Sequence, residues 1–100
     1  MRKEKNENLF SKSFNFFLNQ NFPNPFNPTT TIIYQLPQDG FVSLKIFDAL
    51  GREIRTLVNE YKSKGYYTVN FDGSNISSGI YIYQIESGNF ISTKKMDLTK

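Results

Sequence analysis

The chain has 100 residues and a formal charge of +3, which fits one compact domain and names no strongly charged partner. With 38% hydrophobic, 16% aromatic and 21% charged residues it falls in the globular range, so Phe and Tyr must supply much of the core. The absence of Cys excludes disulfides, thiolate nucleophiles and thiolate metal sites, and the absence of His removes the commonest general base.

In chain order, Met1 to Gln20 mixes charge, amide and aromatic side chains without a clean period of 2 or 3.6, and is read as a linker or weakly ordered arm. Its basic start and the stretch Leu9 to Leu18 faintly resemble a signal peptide, but Lys12 and Asn15 interrupt the apolar run and no small-residue cleavage site follows. No run is long enough to span a membrane as a helix, which needs about 18 apolar residues or more. Asn21-Phe22-Pro23-Asn24-Pro25-Phe26-Asn27-Pro28 is forced into extended or turning backbone, because each proline fixes φ and restricts its predecessor. Its two Phe residues are expected to pin the arm on the body that follows.

From Thr29 the apolar pattern has period 2, the signature of half-buried strands. Ile32, Tyr34 and Leu36 share the inner face of a first strand that Pro37 ends. Asp39-Gly40 reads as a type I′ hairpin turn into a second strand with Val42, Leu44 and Ile46 inward. Ala49-Leu50-Gly51 reverses the chain with Gly51 left-handed, and Arg52 to Val58 forms a third strand with Ile54 on its apolar face. Polar Asn59 to Lys64 reads as a loop. Tyr67, Val69 and Phe71 line a fourth strand, Tyr81, Tyr83 and Ile85 a fifth, and Phe90 to Thr99 forms the last. Short strands at regular spacing, Gly-marked turns and no amphipathic helix predict an all-β, immunoglobulin-like antiparallel sandwich of six to seven strands, Phe26 to Thr30 being the candidate for a short seventh.

Three blocks then carry a family resemblance: Asn21 to Ile32, Val42-Ser43-Leu44-Lys45-Ile46-Phe47-Asp48-Ala49-Leu50-Gly51-Arg52-Glu53, and Ser78-Gly79-Ile80-Tyr81-Ile82-Tyr83 followed by Thr93-Lys94-Lys95-Met96. In this order they resemble the C-terminal sorting domain of the type IX secretion system, type A, itself similar to the immunoglobulin-like domain of the flagellar hook-capping protein. The resemblance covers residues 21–100 and departs from the usual pattern at Ser77, where proline is common, and at Asp97 and Thr99 in the last strand. It implies a non-catalytic label that the outer-membrane translocon reads. A sortase-like peptidase then removes it by a cut in the segment before Asn21, and the cargo becomes attached to the surface.

That reading implies an N-terminal passenger, which this chain lacks, and passage through the periplasm to the cell surface or exterior as part of a full precursor. Without a convincing signal peptide, the sequence does not place the chain alone. Gly79, Tyr81, Lys94 and Lys95 are the translocon-recognition candidates. Against this, turns and cores by themselves account for Gly79 and Tyr81, and edge protection accounts for at least one of the lysines. Pro23, Asn24, Pro25, Phe26 and Pro28 are read as a clamp where linker meets sandwich, in preference to a docking motif. Asp39, Asp48 and Asp72 lie at strand ends and are weighed as a calcium site, although their spacing matches no EF-hand loop. No cofactor is implied, no Gly-x-Ser-x-Gly elbow is present, and the lysines form no stripe for nucleic acid. The alternative function is a structural or adhesive immunoglobulin-like module, as in hook-capping or carbohydrate-associated accessory domains.

Overall fold

A computed structural model describes residues 15–100. Seven strands follow one another: β1 Phe17–Leu18, β2 Thr29–Leu36, β3 Gly40–Phe47, β4 Glu53–Lys62, β5 Gly65–Asp72, β6 Gly79–Ser87 and β7 Phe90–Leu98. They form two antiparallel sheets, ordered β1-β2-β5 and β4-β3-β6-β7. Alternation along the chain decides which side chains meet between the sheets. Ile32, Tyr34, Leu36, Val42, Leu44, Ile46, Tyr83 and Ile85 are all at 0% exposure, so the inner faces read from the sequence are the ones the fold uses.

Four local expectations change. Asp39-Gly40 makes no β2–β3 hairpin, because β2 and β3 belong to different sheets and the chain crosses between layers there. Gly40 accordingly has no positive φ, whereas Gly51 does, at 86°. The polar stretch from Asn59 is not a loop: Asn59 to Lys62 continues β4 opposite Ser43 to Gly40, its polarity reflecting an edge strand rather than a turn. The seventh strand is Phe17–Leu18 rather than Phe26 to Thr30. It pairs with Gln35 and Tyr34 inside the segment expected to be a weakly ordered arm.

That segment, from Asn15 to Pro28, runs the length of the sandwich along the seam between β2 and β7, and is called the strap below. On the β2 side, the Asn19 N–H donates to the Ile33 carbonyl and Phe22 exchanges two backbone bonds with Thr31. On the β7 side, the Gln20 side-chain amide donates to the Lys95 carbonyl, the Phe26 N–H donates to the Asp97 carbonyl, and the Thr99 N–H donates to the Phe26 carbonyl. Asn24 accepts from the Asp97 N–H through its side-chain oxygen. The Tyr83 hydroxyl reaches from the other sheet to the Asn19 carbonyl at 2.6 Å. The strap thus satisfies backbone that two strand edges would leave bare.

Two anchors fix the strap. Phe26 is 1% exposed and meets Phe71 edge to face at 6.0 Å. Asn21, 2% exposed, donates to the Pro23 carbonyl and the Thr30 hydroxyl while accepting from the Gln20 amide, so its polar side chain is buried without an unmet bond. The expectation that both Phe residues pin the arm holds for Phe26 alone, since Phe22 is 78% exposed.

Phe26→Ala removes a buried aromatic and is expected to cost about 3–5 kcal/mol in urea denaturation, whereas Phe22→Ala stays within about 0.5 kcal/mol of wild type. Burial pushes the Tyr34 and Tyr83 hydroxyls up to about 12. Because their folded values lie above the unfolded one, this stabilisation is complete below about pH 10 and is lost as pH rises through 12. Urea midpoints measured from pH 8 to 12 should fall less steeply for the Tyr34→Phe/Tyr83→Phe variant than for wild type.

Candidate recognition surface

β3 and β6 are neighbours in register from Ser43↔Glu86 to Phe47↔Ile82, so the turn that follows β3 and the start of β6 emerge side by side at one end of the sandwich. The second and third sequence blocks, some thirty residues apart, therefore form one surface. It surrounds a shallow depression of about 220 Å³ lined by Asp48, Ala49, Leu50, Arg52, Ser78, Gly79, Ile80 and Tyr81.

The turn is held by one carboxylate. Asp48 Oδ1 accepts from the backbone N–H groups of Leu50 and Arg52, both at 2.9 Å, and Oδ2 accepts from the Arg52 guanidinium at 2.7 Å. These bonds hold the Asp48 carboxyl below the usual carboxylate range, the Arg52 amide contributing most. Two backbone bonds, Asp48 N–H to the Arg52 carbonyl and Gly51 N–H to the Asp48 carbonyl, close the same loop. At its tip Leu50 is 78% exposed, and Ile80 beside it is 44% exposed. Outward-facing Phe47 and Ile82 pair across β3 and β6 and continue this apolar patch onto the sheet.

The four recognition candidates separate. Gly79 opens β6 at φ 153°, and a methyl added there would meet nothing within 4 Å, so the glycine is required by backbone conformation and leaves the depression open. Tyr81 turns inward at 8% exposure, and its hydroxyl donates to the Ser77 carbonyl, bracing the loop before β6. Lys95 lies opposite Ile82 on the outer face, next to the apolar patch. Lys94 lies opposite Tyr83 on the inner face, half-buried.

The three aspartates do not converge. Asp39 and Asp48 flank the eight-residue β3, about 30 Å apart at strand rise. Asp39 accepts from the Lys64 N–H and Asp72 from Ser74. Among the described residues no group of three acidic side chains is placed to hold a metal.

A larger cleft of about 580 Å³ lies at the opposite end, lined by Phe16, Gly40, Phe41, Phe90 and turn residues. It contains none of the second- or third-block motif residues, and the Phe16–Phe90 ring stack that walls it, at 4.1 Å, serves to dock the strap. Leu50 is the residue that sequence reasoning missed. Its signal was a large apolar side chain between Asp48 and Gly51, at a turn tip where polar residues are usual.

The architecture is that of a β-sandwich module carrying a turn-displayed surface at one end. Residues 20–98 match the family model described as the secretion system C-terminal sorting domain, and the chain belongs to that family. Among solved structures it is similar in fold to PorZ, an essential bacterial surface component of the type IX secretion system of Porphyromonas gingivalis. The TM-score is 0.56 at 19% identity, over 90% of this chain and 12% of that one. No curated protein matches the chain in sequence.

Asp48→Asn is expected to lower the melting temperature at pH 7 but to leave it equal to wild type near pH 2. The folded value of Asp48 lies below the unfolded one, so its contribution is present above the carboxylate range and lost as pH falls through it.

Proposed function

We propose that this domain is a non-catalytic label that carries an N-terminal passenger across the outer membrane by the type IX route. In this reading the end bearing Leu50, Gly79 and Ile80 is what the translocon reads. The observation that carries the reading is the meeting of two distant family blocks on one rigid apolar surface, within a chain matched by the sorting-domain family over residues 20–98. Gly79 and Lys95 contribute to that surface, while Tyr81 and Lys94 act from the inner face of their strands. Domains of this family belong to proteins in transit to the cell surface or the exterior, and this chain follows that path when fused to its passenger.

The passenger joins at the other end. The strap enters beside Gln35, whose side-chain amide donates to the Asn15 carbonyl, and reaches the Leu50 end only at Phe26. Pro23, Asn24, Pro25, Phe26 and Pro28 act as the clamp. A sortase-like peptidase that spares the sandwich cuts upstream of Phe16, because the backbone from Phe17 to Asn21 is tied into sheet and core. Nothing in the described residues favours the adhesive-module alternative over this reading.

Surface delivery of a reporter bearing an export signal and fused before Met1 tests the proposal in a type IX host. The fused domain is expected to bring the reporter to the surface, and Leu50→Asp to reduce delivery at least tenfold without lowering the melting temperature. Phe41→Ser, an exposed aromatic at the opposite end, should leave delivery unchanged. Delivery without the domain overturns the label; unchanged delivery by Leu50→Asp overturns the assigned surface.

A further inference from the structure

The two seams of the sandwich end differently. The strap closes the one between β2 and β7, where Leu18, Asn21 and Phe26 are at 5%, 2% and 1% exposure. At the other seam the outer strands are β4 and β5, and among the described residues neither has a strand on its outer side. There Ile54 and Leu57 of β4 and Tyr67 and Val69 of β5 are only partly buried.

β4 carries the usual protection of an edge strand: two register shifts against β3, and Glu53, Arg55, Glu60 and Lys62 along its length. β5 carries none. It pairs with β2 through eight regular positions without a shift, and from Gly65 to Phe71 it has no charge and no proline. Aromatic and β-branched residues fill it, which favours extended pairing. A bare backbone edge and half-covered apolar side chains thus coincide on one strand.

We propose that the outer edge of β5 pairs with β5 of a second copy of this chain, antiparallel and centred on Thr68, joining the two three-stranded sheets into one of six. A two-fold axis through Thr68 keeps inner residues opposite inner residues. It sets Tyr67 against Val69 of the second copy, Tyr66 against Asn70, and Thr68 against itself. Aromatic with β-branched and Thr with Thr are stabilising cross-strand pairs, and no charge between Gly65 and Phe71 meets its like. The same operation on β4 would bring its charges and its bulges face to face. Because the strands are antiparallel, the two Leu50 ends point in opposite directions and stay uncovered, so this pairing is independent of the recognition surface.

The chain contains no Cys, so single cysteines report the contact directly. Sedimentation velocity of the full chain should show mass doubling as concentration rises, and Thr68→Lys, which sets two ammonium groups against each other, should remain monomeric with an unchanged circular dichroism spectrum. On oxidation Thr68→Cys should give a disulfide-linked dimer at least tenfold faster than Thr93→Cys, another exposed position, on β7. A wild-type chain monomeric at millimolar concentration, or equal cross-linking at the two positions, overturns the proposal. So does hydrogen-exchange protection of β5 that does not depend on concentration, since the edge would then be occupied by another strand.

Discussion

β2 and β7 each present a row of backbone groups to the same seam, and the strap satisfies both rows at once. Buried or half-buried amides and carbonyls need partners, and a sandwich of this size has no spare strand to supply them. The strap meets the demand with one strand of two residues, two isolated bridges and a few side-chain amides. Other features follow. Phe26 is buried because its own backbone bonds Asp97 and Thr99, the Tyr83 hydroxyl is satisfied because Asn19 passes over it, and β7 ends paired on both sides despite the charge of Asp97. Tyr34 shows the contrasting case, its buried hydroxyl having no partner among the described residues.

At the Leu50 end, Asp48 spends its carboxylate on backbone amides and on Arg52, so the turn stays fixed while its apolar tip faces water. The proposed recognition rests on this leucine being held out on a fixed turn and continued by Ile80 beside it. Gly79 fits this economy, since its backbone angle excludes side chains and leaves the adjoining depression open.

Strand existence and facing were legible because period 2 survives wherever one face is buried: Ile32, Tyr34 and Leu36, and Val42, Leu44 and Ile46, could be assigned inward from alternation alone. Sheet membership was not. Asp39-Gly40 signals a reversal equally well whether the next strand pairs with the last or crosses to the other layer, and here it crosses. β1 was hidden because two residues show no period, and the polar end of β4 because an edge strand near a sandwich tip has little to bury. Asn21 opens a segment read only as extended or turning, and its burial follows from bonds to Gln20, Pro23 and the more distant Thr30. At the candidate site, the motif identified Gly79 and Tyr81, but their meeting with the turn that carries Leu50 required the β3–β6 register.

The strap enters at one end of the sandwich, while β7 delivers the chain to the other. Tension between a passenger ahead of Asn15 and a holder gripping the Leu50 end therefore acts along the strands, at right angles to the hydrogen bonds that secure the strap. Bonds loaded this way share the force and must slip together instead of opening one by one from a free end. On the proposed reading, the same seam that completes the core is what lets the domain bear the pull of its passenger without being peeled apart.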